Sequence, residues 1–184
     1  TNNQQSTRLE KADGNVDFHS TDSFGNISSG HTHQDYDVFA NQAKVTKTTT
    51  DSWSDNASYA GSMGNPIAGT DRSWNKQHMV VTNTYNKYGR LLDSEGKGNG
   101  FSFDGLVSYT GSDITQKFDD GIWSGTGLAR LETVVNRSYS SNKYGEGKYD
   151  LPFRADDQSF NRSYNVTNYK GSYLDSGKIN IDHV

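Results

Sequence analysis

The sequence predicts an all-β protein: an antiparallel, hairpin-built sandwich or extended β-sheet with internal repeats. Three observations carry that expectation. Short runs alternate between apolar or β-branched residues and polar ones, and Gly, Asn, Asp and Ser separate them, which is period-2 patterning bounded by turn formers. No window of a dozen residues holds a helical apolar face. Stretches also recur. Gln34-Asp35-Tyr36-Asp37 followed by Ala43-Lys44-Val45 returns as Gln116-Lys117-Phe118-Asp119 followed by Ala129-Arg130-Leu131. Val80 to Gly89 returns as Val134 to Gly145, and Asn136-Arg137-Ser138-Tyr139 recurs unchanged as Asn161-Arg162-Ser163-Tyr164. Self-similarity at long spacing points to stacked supersecondary units.

Taken in chain order, residues 1–13 form a polar arm, with no alternation over the first eight. A first hairpin unit spans 14–97 and carries a Gly- and Ser-rich insertion at 51–76. Within it, Lys44 to Thr50 is a Thr-rich strand, and Met79, Val81, Asn83 and Tyr85 share one face of another. A second related unit spans 98–150, with Glu132 to Tyr139 as a strand and an insertion at 120–127. A partial third unit, 151–184, holds the strand Asn161 to Thr167 and ends in the alternating run Lys178 to Val184. Residues 146–158, with Pro152, read as a connecting loop. Gly25, Gly89, Gly145 and Gly177 sit where a hairpin needs positive φ. An aromatic precedes the first three, placed to pack across its hairpin. Gly96-Lys97-Gly98-Asn99-Gly100 lacks the spacing of a phosphate loop and reads as a further hairpin turn.

Composition narrows the function classes. Only 30% of the residues are apolar, yet 11 Tyr, 8 Phe and 3 Trp place much of that content in rings. Rings suit thin, half-wet β-structure better than a thick core. The net charge is −4 with the signs interspersed, so there is no clustered basic surface to track nucleic-acid phosphates. The absence of cysteine removes disulfides and thiolate chemistry. No stretch has the length of a membrane span. Asn-X-Ser/Thr sequons at Asn26, Asn56, Asn136, Asn161 and Asn165 would matter in an exported protein.

Thr84-Tyr85-Asn86-Lys87-Tyr88-Gly89-Arg90-Leu91-Leu92 resembles the hairpin repeat of bacterial YD (RHS-type) surface proteins, in which Tyr-Asp is followed by Gly-Arg-Leu. Thr21-Asp22-Ser23-Phe24-Gly25-Asn26-Ile27 resembles the variant ending in Gly-Asn-Leu/Ile. The YD dipeptide itself is replaced by Tyr85-Asn86, and neither a self-cleaving core nor a toxin domain is visible. The resemblance implies a β-hairpin scaffold on or outside a bacterial cell, without an inherited active site.

Candidate chemistry is sparse. His31, His33, Asp35 and Asp37 alternate, so on a strand they would share one side. His31 and His33, about 7 Å apart there, could share a divalent metal ion, and the alternative is a solvated polar face. Asp119-Asp120 and Asp156-Asp157 are adjacent and so would point to opposite faces, unlike the facing carboxylates of a glycosidase. No Gly-X-Ser-X-Gly elbow marks a serine nucleophile. Trp53, Trp74 and Trp123 fall in the expected insertions, where rings stack on sugars in carbohydrate-binding modules.

The expectation is therefore a non-enzymatic, secreted or cell-surface structural protein, needing no cofactor, whose partners are copies of itself. Self-association into a fibre or matrix would use strand edges, with Ile179 and Ile181 of the terminal strand as contact residues. The alternative is a carbohydrate-binding or adhesin module that engages surface glycans through its tryptophans.

Overall fold

The computed structural model describes residues 11–119, 129–169, 172–173 and 179–180. The fold is all-β. Eight antiparallel strands lie side by side in chain order in one open sheet: β1 (Ala12–Thr21), β2 (Ile27–Phe39), β3 (Gln42–Asp55), β4 (Trp74–Tyr85), β5 (Leu91–Phe103), β6 (Tyr109–Phe118), β7 (Leu131–Ser141) and β8 (Arg162–Asn168). A separate two-stranded ladder joins β9 (Ser172–Tyr173) to β10 (Ile179–Asn180). No second layer covers the sheet among the described residues, so of the two expected architectures the extended sheet is the one found.

A single layer explains the composition. Among the described residues Leu91 is the one fully buried hydrophobic side chain. Most strand positions are half-buried on either face. Cohesion therefore comes from backbone ladders and from cross-strand pairs, each worth roughly 0.2–1 kcal/mol, rather than from a packed interior. Glycines and rings cooperate in those pairs. Gly30 lies opposite Phe18, whose ring covers it, and Gly111 lies opposite Tyr139, whose Cζ would sit 2.7 Å from an added Cβ.

The Gly96 to Gly100 stretch is not a turn. It lies in the middle of β5, paired on both sides. Its glycines take one face, where Gln116 lies over Gly96 and the Met79 Cε would come within 2.9 Å of a Cβ on Gly98. Here Gly makes room for neighbouring side chains instead of supplying positive φ.

The sheet repeats itself. Strands β1–β4 repeat as β5–β8, and the strand pairings agree residue for residue. Asp13↔Asp35 is matched by Glu95↔Lys117, Ile27↔Asp55 by Tyr109↔Ser141, and Trp53↔Lys76 by Tyr139↔Arg162. Register shifts fall at Asp35/Tyr36 and at Lys117/Phe118, the same place in each unit. The long connections match as well. Ser54 O accepts from Ile67 N at 2.8 Å, and Ser140 O accepts from Phe153 N at 2.9 Å. The Ser54 Oγ accepts from Asn75 N at 2.9 Å and the Ser140 Oγ from Asn161 N at 2.7 Å. Arg72 and Gln158 take the same left-handed φ, 67° and 66°.

The unit boundary is thus the β4–β5 turn, and the one expected at residues 97 and 98 falls inside β5. The likeness of Val80–Gly89 to Val134–Gly145 marks a shared turn rather than a shared place in the unit. In Asn86-Lys87-Tyr88-Gly89-Arg90 the Asn86 Oδ1 accepts from Tyr88 N and Arg90 N at 2.9 and 3.0 Å. In Asn142-Lys143-Tyr144-Gly145-Glu146 the Asn142 Oδ1 does the same at 3.0 and 3.1 Å. The first closes the β4–β5 hairpin, while the second opens the long β7–β8 connection. Gly25, Gly89 and Gly145 do take positive φ, at 83°, 77° and 79°. The aromatics before them do not pack across the hairpins: Phe24, Tyr88 and Tyr144 are exposed, and Lys87 and Lys143 lie over the two tyrosines.

Candidate functional site

Residues directly opposite one another share a face, so the pairings define transverse rows across the sheet. One row reads Asp17, His31, Asp51, His78, Asn99, Asp113, Arg137 and Tyr164. His31 Nδ1 lies 2.6 Å from Asp17 Oδ1, and His78 Nδ1 lies 2.6 Å from Asp51 Oδ1. His33 stands in the next row of the same face. Its Nδ1 is 2.8 Å from Asn15 Oδ1 and its Nε2 is 3.1 Å from Asp35 Oδ1. His31 and His33 are therefore neighbours, each occupied with its own cross-strand partner. Among the described residues no group of three or more His, Cys, Asp or Glu could hold a metal ion.

Trp53 and Trp74 lie on strands and not in a loop. Trp53 is in β3 and Trp74 begins β4, so the connection between them is confined to residues 56–73. Trp123 lies outside the described residues. Trp74 is the hub of a half-buried cluster. Its ring centroid is 5.4 Å from Phe101, 6.5 Å from Phe103 and 6.4 Å from Tyr109, and Phe103 stacks on Tyr109 at 4.6 Å. The cluster spans β4, β5 and β6, which explains why no local stretch of sequence displayed it.

Next to it lies the most buried polar group of the first unit. Asp55 is 5% exposed and Ser29 1%. Asp55 Oδ1 accepts from Asn56 N and Gly61 N, both at 2.8 Å, while its Oδ2 and the Trp53 Nε1 are buried without a partner at bonding geometry. Burial pushes the Asp55 carboxyl up, but the Ser29 hydroxyl, the two N–H groups and the Trp53 indole outweigh it, and the net shift is downward. The Ser29 Oγ also lies 2.8 Å from His19 Nδ1. The chain of contacts runs His–Ser–Asp with serine in the middle, whereas a nucleophilic triad needs histidine between serine and acid and an accessible hydroxyl. This network braces the long connection. The second unit has Phe101, Gly111 and Ser141 at the places of His19, Ser29 and Asp55.

The remaining unusual feature is the pair of sheet edges. β1 pairs only with β2 and β8 only with β7 among the described residues. Neither edge pairing contains a register shift, and neither strand contains proline. Bulges and prolines are two of the devices that blunt an edge; charge is another, and Asp13 and Asp17 on β1 and Arg162 on β8 supply it. Exposed apolar side chains gather there: Val16 (58%) on β1, and Tyr164 (52%) and Val166 (44%) on β8. Ile179 is in the separate β9–β10 ladder, and Ile181, like residues 1–10, lies outside the described residues. The sequence pointed to the chain ends as pairing segments. The sequence does not mark β1 and β8 as edges, because edge status depends on strand order, which only the fold supplies. No protein-family model, curated protein or solved structure matches the chain.

Proposed function

We propose that this chain is a non-enzymatic structural protein, secreted or displayed on a cell surface, that self-associates into a fibre or matrix by pairing strand edges. One observation carries the reading: among the described residues, a single-layer sheet with a strand at each side that has one neighbour, no bulge and no proline. In a layer without a core, every strand is stabilised chiefly by its two neighbours, and among the described residues β1 and β8 have one each. Adding a strand completes a row of backbone donors and acceptors at little cost in order, since the edge is already extended. The placement outside the cell is supported by the resemblance to YD-type repeats. Light scattering across a concentration series, with electron microscopy of the same samples, tests the proposal. Concentration-dependent assemblies are expected, and a strict monomer at high concentration would refute it.

The aromatic cluster around Trp74 favours a second reading, a carbohydrate-binding or adhesin module. Half-exposed rings grouped on one flat face offer stacking surface to a sugar. That reading predicts a shift of tryptophan fluorescence on adding oligosaccharides, lost in Trp74→Ala.

A further inference from the structure

We infer that copies of this chain join head to tail, β8 of one copy pairing with β1 of the next, in the register that β4 and β5 already use inside the chain. The inference rests on the self-association reading and specifies its geometry. The internal repeat supplies the argument. β8 occupies in the second unit the place of β4 in the first, and β1 occupies the place of β5, with matching register in every pair that can be compared. The β4–β5 junction is therefore a unit-to-unit interface that the chain has already built once.

Carrying that junction to the chain's edges fixes the partners. Lys76↔Phe101, His78↔Asn99, Met79↔Gly98, Val80↔Lys97 and Thr82↔Glu95 are its pairs. The corresponding pairs between copies are Arg162 with His19, Tyr164 with Asp17, Asn165 with Val16, Val166 with Asn15, and Asn168 with Asp13. β4 and β5 run antiparallel, so a β8–β1 pairing continues the meander without reversal. It places a fifth strand on each unit in turn and repeats indefinitely, because a heterologous contact that does not close generates a filament.

The chemistry of the two edges agrees. Arg162 stands on β8, and the Arg137 guanidinium lies 5.6 Å from the Tyr164 ring beside it. The β1 edge carries Asp13 and Asp17. The transverse polar row would continue from Asp113 and Arg137, through Tyr164, to Asp17 and His31 of the next copy. Phe160, 42% exposed, holds the place of Trp74 and would meet His19, as Trp74 meets Phe101. Exposed Val16 and Val166 would each gain a neighbour.

The test is disulfide trapping, which the absence of native cysteine makes clean. The full chain carrying both Val16→Cys and Asn165→Cys is oxidised and run on a non-reducing denaturing gel. Directly opposed residues have Cα atoms roughly 4.5–5.5 Å apart, inside the disulfide range. Within one copy the two cysteines sit on opposite sides of the sheet, seven strand spacings or roughly 34 Å apart, so every bridge formed is between copies. A ladder of covalent multimers is expected from the double variant, and each single variant, whose cysteine faces no second thiol in this register, should run as a monomer. Pairing Val16→Cys with Thr167→Cys instead displaces the thiols by two residues, about 6.8 Å along the strand, and should lose the ladder. Equal ladders from both combinations, or abundant dimers of a single variant, would overturn the head-to-tail register. If unmodified protein assembles by light scattering but Val16→Cys/Asn165→Cys forms no ladder, this inference falls and self-association stands. A monomeric unmodified protein overturns both.

Discussion

Replacing Gly30 by alanine tests the idea that ring-over-glycine packing holds this single-layer sheet together. Gly30 lies in β2, opposite Phe18 on β1 and Ser52 on β3. An added Cβ would run into the Phe18 ring and stand 2.6 Å from the backbone oxygen of Asp51. Phe18 on the edge strand can swing aside, but a paired backbone carbonyl cannot. Overpacking of this kind costs about 1–3 kcal/mol. Removing glycine's excess chain entropy returns about 0.5–1 kcal/mol, and Gly14→Ala on the same face isolates that gain, since its nearest atoms lie at 3.6 Å in ordinary contact. The gap between the two variants is then the overpacking cost itself, about 1–3 kcal/mol. With a urea m-value of about 1–3 kcal/mol/M, that is a midpoint difference on the order of 1 M. Urea unfolding followed by far-UV circular dichroism measures it. A Gly30→Ala midpoint at or above that of Gly14→Ala would refute the packing argument.

Asp55→Ala should lower stability by about 2–4 kcal/mol, because it orphans the N–H groups of Asn56 and Gly61 at about 1–3 kcal/mol each before water partly repairs them. Thermal unfolding checks this, with Asp55→Ser, which copies the Ser141 of the second unit, expected to cost less. Asn86→Ala removes the acceptor for Tyr88 N and Arg90 N and should cost about 1–2 kcal/mol in chemical denaturation. Asn86→Asp, which copies the use of Asp22 in the β1–β2 turn, should be near neutral. Asp22, Asp55, Asp71, Asp104 and Asp157 all have carboxyls held below the ordinary range, four of them by turn hydrogen bonds and Asp55 by its buried partners against the cost of burial. A depressed folded-state pKa contributes stability that is present above the unfolded value and lost as pH falls through the folded one. Stability should therefore be level from neutral pH down to about 5 and decline below about 4, as an acid titration of the unfolding midpoint would reveal. Of Asn165→Pro and Val166→Pro on β8, only one removes an N–H from the β7 ladder, because neighbouring N–H groups point to opposite sides of a strand. The other should leave the sheet folded and abolish assembly in light scattering.

Much of the fold was legible because strand periodicity and turn chemistry are local. The alternation over Met79–Tyr85 and the Tyr-Gly steps at 88–89 and 144–145 predicted a strand and two positive-φ turns that the structure contains. Misplacements arose where identical local signals serve different global places. Gly96 to Gly100 looked like a turn because glycine is the usual turn residue, but those glycines clear space for Gln116 and Met79. Trp53 and Trp74 read from the sequence as part of an insertion because the Ser- and Gly-rich residues around them mask the strand ends.

By itself the sequence determined that the chain is β, that Gly25 and Gly89 close two of its hairpins, and that it carries too little apolar content for a thick core. These follow from the side-chain period of an extended chain and from the few residues able to adopt positive φ. Only the tertiary structure decided that the strands form one open layer, that the repeat is a four-strand unit whose boundary is the β4–β5 turn, and that β1 and β8 are its edges. Those properties depend on which strands become neighbours, a matter of long-range pairing that no single strand's pattern records.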